Sequence, residues 1–464
     1  MAVVALRTAA WYGDRPLPLE LPAGWRVTTL RPSTPPPLDD HQIALALERP
    51  VGQLPLRELA SGRSRPLVIV DDLTRPTPAG RVLPVVLRHL AEAGIPAGAV
   101  RVLVATGAHG PPRPEVLAAK VGPAAAAACR LLVHDHTRGL ARVGRTSFGT
   151  PVLVNREVLA SDLVIGVGGV YPQHSTGFGG GAKLALGVLG KRSIVALHYR
   201  HPSMDGSYEV GNDFRRDLDQ VAAMVGLHTS VSVHVDADRR PVRVVCGDHR
   251  RYYPEAVAFS LRAYRAPGPG GADVVIANAY PIDVSLTFVR SKGVTPLLLA
   301  KPGASRVLVS ACSEGGGHHG LFPFVGAPRR QRLLHLARTV SARPGTVPAK
   351  AARRLRAAVR RGRGGGAGAQ PIWLHVPGRP AVDLPAEIPG MTALRAWPEV
   401  LARIHAEQSH RPGIEVAVYP CAPLQVLQPA GSPATLAPAT EAAYVICRFG
   451  DAPGRRIPRW CSPL

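Results

Sequence analysis

The sequence predicts an α/β protein made of two α/β domains with mostly parallel sheets. Apolar runs of strand length recur along the chain, each followed by a polar turn and a helix-period amphipathic stretch. A Pro/Gly-rich segment, Ala266-Pro267-Gly268-Pro269-Gly270-Gly271, separates two such series. A length of 464 residues suits two or three domains with cores of normal size. The expected boundaries are 1–265 for an N-terminal domain, 266–271 for a linker, 272–428 for a C-terminal domain and 429–464 for a Pro- and Ala-rich tail.

The early segment Arg26–Leu30 reads as strand and Asp40–Leu47 as helix. A buried strand, Pro66–Val70, runs into Asp71-Asp72-Leu73-Thr74-Arg75-Pro76-Thr77-Pro78 and then a helix over about 80–93. The pattern repeats as Val100–Val104, the turn Ala105-Thr106-Gly107-Ala108-His109-Gly110-Pro111, and a helix through Lys120. Leu131–His134 opens a third unit whose His134-Asp135-His136 reads as solvated loop rather than metal cluster. Asp162–Gly168 delivers a glycine loop, Lys191–Arg200 reads as helix, and 211–217 caps a helix over Leu218–Val225. Strands at Ser230–Val235 and Pro241–Cys246 end the first series. The second holds a strand at Asp273–Ala277, a helix with Phe288, Val289 and Lys292, a strand at Ser305–Ser310, then Ile372–Val376, a helix over 398–408 and a strand at Glu415–Tyr419. Arg353–Gly366 is an Arg/Gly-rich loop. Glu314 reads equally as cleft lining or turn, and His318 and His319 read as loop.

Hydrophobic content of 46% and charged content of 19% describe a globular chain, and no apolar run reaches the roughly 18 residues of a membrane span. A soluble, cytoplasmic protein is expected. Six scattered cysteines without a Cys-x-x-Cys pair speak against a disulfide scaffold or thiolate zinc site. The net charge of +24 comes from 56 Lys plus Arg, of which only Lys120, Lys183, Lys191, Lys292, Lys301 and Lys350 are lysine. Such arginine use is a compositional habit, so nucleic-acid binding is not the expected function. A lysine inside a punctuated motif stands out against it.

Lys183 is that lysine. It closes Tyr171-Pro172-Gln173-His174-Ser175-Thr176-Gly177-Phe178-Gly179-Gly180-Gly181-Ala182-Lys183, where glycines let backbone approach an anion and lysine can bind phosphate or act as a nucleophile. Leu184 follows it, where a common nucleotide loop needs a hydroxyl.

The Asp71–Pro78 and Ala105–His109 turns, His174 with Gly177–Lys183, Gly211-Asn212 and Tyr280-Pro281-x-Asp283 together resemble the lactate racemase family over the chain up to about Ser310. The resemblance implies a two-domain α/β protein with its active site in the interdomain cleft. It also implies a nickel-pincer nucleotide, the Ni(II) complex of pyridinium-3,5-bisthiocarboxylic acid mononucleotide, supplied by cofactor biosynthesis enzymes. By resemblance Lys183 tethers the cofactor, Asp72, Thr74, Gly179, Gly180 and Gly181 line it, and His198 ligates nickel with His201 as alternative. His109 and His174 become the acid/base pair, and Arg75, Phe288, Val289 and Lys292 contact substrate. Two imidazoles on opposite faces suit inversion of a 2-hydroxy acid by proton-coupled hydride transfer, and Arg75 suits a bidentate grip on its carboxylate. Phe288-Val289 stands where the family's lactate enzymes carry Tyr-Gln, which favours an apolar substrate side chain over lactate. The alternatives are a non-catalytic homologue that carries or senses the nucleotide, and a nucleic-acid binder.

Overall fold

The computed structural model describes residues 2–173, 175–201, 208, 210–321, 329–342, 371–378, 384, 388, 390–408 and 413–428. The tail 429–464, the Arg353–Gly366 run and His174 lie outside the described residues.

Six strands form the first sheet, in the spatial order Pro241–Gly247, Thr229–Val235, Leu163–Gly169, Pro66–Asp71, Arg101–Ala105, Arg130–Val133. All neighbours are parallel except the pair formed by the first two. Val68 and Val70 pack into one core, and Leu67 and Ile69 into another on the opposite face, so the sheet is covered on both sides and its strands read as unbroken apolar runs. In chain order the strands run outward from Pro66–Asp71 to one edge, then start again at Leu163–Gly169 toward the other. The chain reverses direction of growth between those two strands, and their carboxyl ends leave the crevice where α/β sheets hold ligands.

The second sheet is wholly parallel, in the order Met391–Leu394, Ile372–His375, Ser305–Val309, Val274–Asn278, Glu415–Tyr419, Arg26–Thr29. The expected division at residue 265 does not follow sheet membership. Arg26–Thr29 joins the edge of this second sheet beside Glu415–Tyr419. The antiparallel hairpin of Ala2–Thr8 and Arg15–Leu21 buries Val4, Leu6, Leu19 and Leu21 against Val274, Ile276 and Val416 of the same sheet. Buried Asp283 anchors the hairpin's turn, accepting hydrogen bonds from the Ala9 and Ala10 amides at 2.7 and 3.2 Å. The linker is partly strand as well, since Arg265–Pro267 pairs with Val426–Gln428.

Local sequence explains the helices that carry the site. Ala79–Glu92 buries Val82, Leu83, Val86 and Leu90 at three- and four-residue spacing. The helix expected from Leu218 begins earlier, at Asp213, because Asn212 accepts the Arg215 amide and caps it there.

Four buried histidines, His134, His234, His249 and His375, are each pushed down to about 4 by burial. His134 is thus a core residue rather than solvated loop; its Nε2 lies 2.9 Å from the Leu189 carbonyl and its Nδ1 3.1 Å from Asn155 Nδ2. At His234, His249 and His375 one ring nitrogen has no hydrogen-bond partner among the described residues, so protonation would place an unpaired donor in the core. The unfolded chain, titrating near 6.5, binds more protons than the folded one below that value. Stability is therefore fully present at pH 7.5 and is lost as pH falls from about 6.5 toward 4. The urea midpoint should drop clearly between pH 7.5 and pH 5; an unchanged midpoint would contradict this.

Candidate active site

The site is built where the central strand Pro66–Asp71 ends. Asp72 takes hydrogen bonds from the Thr74 amide at 3.1 Å and the Thr74 hydroxyl at 2.6 Å, and lies 2.5 Å from His109 Nδ1. Burial alone would raise the Asp72 pKa, but His109, Arg75 and Thr74 outweigh it and hold the carboxyl well below the usual range. His109, on the turn after the neighbouring strand Arg101–Ala105, is pushed down by burial against the opposing pull of Asp72. An ionised carboxylate facing a neutral imidazole fixes the tautomer. Nδ1–H donates to Asp72, and Nε2 keeps the lone pair of a general base. Asp72 and Thr74, expected on a cofactor, here orient His109.

Arg75 sits beside this pair, its Nε 4.0 Å from Asp72 and its guanidinium 5.9 Å from the centre of the Tyr171 ring. Burial works against its charge, but Tyr171, Asp72 and Asp71 more than compensate and raise its pKa. The second layer closes the other side. Phe288, on the helix Leu286–Lys292, meets the His109 ring edge-on at 4.8 Å. Val289, expected beside it on the substrate, is fully buried in the core with Ala279, Leu286 and Leu308, because adjacent helix positions point about 100° apart. Lys292 ends the same helix; its side chain is outside the described residues.

His319, read as loop from sequence, belongs to the site. Its backbone bridges that of His109, the Gly320 amide donates to the Ala108 carbonyl at 2.6 Å, and the two imidazoles lie 5.1 Å apart. The Leu321 amide donates to His319 Nδ1 at 3.2 Å, so the proton of the neutral ring sits on Nε2. Burial, then the neighbouring His109 and His198, keep it neutral, well below its ordinary value. A signal was present: a strand followed by glycines and histidine is the pattern that singled out His109. Glu314 precedes it, accepting from the Tyr12 hydroxyl at 2.6 Å, and burial raises its pKa.

Lys183 opens the short helix Lys183–Leu186, and its charge presses on both His109 and His198. His198, on Lys191–Arg200, donates from Nδ1 to the Ile194 carbonyl at 2.9 Å and is pushed down to about 3 by burial and then by Lys183, His109 and Arg75. Its Nε2 therefore carries a lone pair. His201, the alternative ligand, is buried with its Nε2 held 2.8 Å from Asp217. The glycine run answers to packing. A Cβ on Gly179 would lie 2.9 Å from the Gly169 carbonyl oxygen, on Gly180 2.6 Å from Val170, and on Gly181 2.7 Å from Arg215. Close protein packing alone requires glycine at all three positions.

Lys120 is a further surprise. It is wholly buried, with Nζ 2.6 Å from Asp71 and 2.9 Å from the Thr77 carbonyl. Asp71 also accepts from Thr77 at 2.5 Å and from the Gly169 amide at 3.0 Å, so it ties both strands at the crevice. Among the described residues no three His, Cys, Asp or Glu side chains are arranged to hold a metal ion by themselves, and no helix is long and apolar enough to cross a membrane.

Comparison with known proteins bears on the same stretch. Residues 12–208 match the lactate racemase N-terminal domain. The lactate racemase of Lactiplantibacillus plantarum is 26% identical over 294 residues, 61% of this chain and 69% of that protein. The lactate racemase of Thermoanaerobacterium thermosaccharolyticum is also 26% identical over 294 residues, 61% of this chain and 68% of that protein. In fold, the chain resembles the lactate racemase apoprotein of T. thermosaccharolyticum, with a TM-score of 0.63 and 19% identity, over 92% of this chain and all of that one. A Thermotoga maritima protein follows at a TM-score of 0.53 and 16% identity, over 85% and 99% of the two chains.

Proposed function

Since the chain is a lactate racemase-like family member, with that family's N-terminal domain at residues 12–208, we propose that it racemises or epimerises a 2-hydroxy acid with an apolar side chain. The observation that carries the reading is the Asp72–His109 pair beside Arg75. Arg75 would hold the substrate carboxylate, and His109 Nε2 would take the hydroxyl proton while Asp72 stabilises the imidazolium that forms. His174 is proposed as the base on the opposite face from its motif alone.

A nickel-pincer nucleotide fits the residues present. Lys183 stands near His198, whose tautomer leaves Nε2 able to ligate a metal; Lys183 would tether the group and His198 would take nickel. When bound, the group supplies the hydride acceptor that proton transfer alone lacks. The remaining work is the chain's own: orienting the carboxylate, moving one proton through His109, and excluding water with Phe288 and His319.

Protein produced alongside cofactor biosynthesis enzymes should gain the mass of the nucleotide at Lys183 and interconvert the enantiomers of at least one apolar 2-hydroxy acid in a chiral assay. An adduct without interconversion of any acid tested would refute the racemase and leave a carrier. For the metal, His198→Gln is expected to lower bound nickel at least tenfold, whereas His201→Gln should leave nickel and lower the melting temperature. The reverse pattern in metal analysis would exchange the two assignments. Phe288→Ala removes the edge-on wall of His109, so kcat/KM should shift about tenfold toward bulkier side chains, measured across a homologous series of substrates.

A further inference from the structure

Outside the His109 site lies a cavity of about 380 Å³ lined by five basic residues, His136, Lys191, His318, Arg330 and Arg338, and among the described residues by no carboxylate. In a chain this rich in arginine a basic surface alone carries little meaning, but the contrast with other basic side chains is informative. Arg7, Arg26, Arg81, Arg101, Arg216 and Arg243 each meet an acidic partner. No ion pair among the described residues uses Lys191, Arg330 or Arg338; Arg338 instead leans on the Tyr199 hydroxyl. Gathering the Lys191, Arg330 and Arg338 charges around a concave space with no acidic partner among the described residues is unfavourable, and the same arrangement focuses the field on whatever anion enters.

His136 and Lys191 form one wall, joined by the Lys191 amide donating to the His136 carbonyl at 2.8 Å. Arg330 and Arg338 stand on the helix Arg329–Ala342, which packs against Lys191–Arg200 where His335 meets the Tyr199 hydroxyl, and His318 begins the strap that leads toward it. That strap is tightly seated: a Cβ on Gly320 would lie 3.0 Å from His136 Nε2, and Gln331, next to Arg330, donates to the His319 carbonyl at 2.8 Å. Anything bridging Lys191 and Arg330 therefore fastens the helix and strap to the first layer and keeps His319 against His109.

We propose that this cavity is a binding site for a small dianion, of the phosphate or dicarboxylate class, that clamps the helix Arg329–Ala342 and the His318–Gly320 strap onto the first layer. The site is separate from the substrate carboxylate's place at Arg75, and the proposal stands or falls without reference to catalysis.

The test uses the full-length protein without added cofactor. Calorimetric titration with inorganic phosphate, and separately with malonate, should give saturable one-to-one binding for at least one of them, with a melting temperature that rises with its concentration. Whichever binds identifies the class; saturation by neither overturns the proposal. Lys191→Gln with Arg330→Gln should weaken binding at least tenfold, and Arg330→Gln alone, on an exposed side chain, should weaken it severalfold. Arg49→Gln with Arg57→Gln removes the same charge from exposed positions that do not line the cavity and should leave affinity unchanged. Equal weakening by the two double variants would mean diffuse attraction to a basic surface, and would refute a site.

Discussion

Asp72→Asn is expected to lower turnover of cofactor-loaded protein by about 10²–10⁴-fold while leaving the fold intact. Asparagine preserves the shape and the Thr74 contacts, but a neutral amide no longer stabilises an imidazolium at His109, nor does it fix the proton on Nδ1. His109→Ala should cost at least as much, and the double variant little more, because the two side chains act as one unit. Stereochemical assay of the two single variants and the pair checks this. Additive losses, or a turnover unaffected by Asp72→Asn, would remove the pair from the proton-transfer step.

Lys120→Ala should destabilise the protein by about 3–5 kcal/mol, read from urea unfolding. Truncation leaves Asp71 buried with hydrogen bonds from Thr77 and Gly169 but no cation in direct contact, only the more distant Arg75, and it removes the ammonium lying 4.7 Å from the centre of the Trp11 ring. Lys120→Met combined with Asp71→Asn removes both charges at once and should recover much of the loss. If Lys120→Ala alone unfolds at the same urea concentration as the parent, the buried pair contributes no stability.

Much of the first layer is legible in sequence because its strands are buried on both faces. Pro66–Asp71 and Leu163–Gly169 announce themselves as continuous apolar runs, and the polar residues directly after them are the residues of the crevice. Arg75 follows the first of them directly, and His109 follows its parallel neighbour Arg101–Ala105 in the same way. The N-terminal hairpin is another matter. Arg15–Leu21 carries Pro16 and Pro18, and prolines are tolerated in a two-stranded hairpin with free outer edges. Sheet membership of Arg26–Thr29 depends on a partner almost four hundred positions away, which no local pattern reports.

Within the site, neighbouring residues part company for equally physical reasons. Phe288 and Val289 look interchangeable as text, yet one faces His109 and the other fills the core. His319 resembles a loop residue until its backbone pairs with His109. Lys120 ends an apolar helix where a surface lysine is the ordinary reading, and only Asp71 beneath it explains the burial.

The seating of Arg26–Thr29 beside Glu415–Tyr419 also sets the order in which the molecule is completed on the ribosome. The first layer can assemble once Pro241–Gly247 has emerged, whereas Arg26–Thr29 must wait for Glu415–Tyr419, almost four hundred positions later. Until then an apolar hairpin and a bare strand edge stay uncovered, a template for pairing with a second nascent chain. Chaperone demand during synthesis should therefore fall on the N-terminus, the part furthest in sequence from the strand that finally covers it.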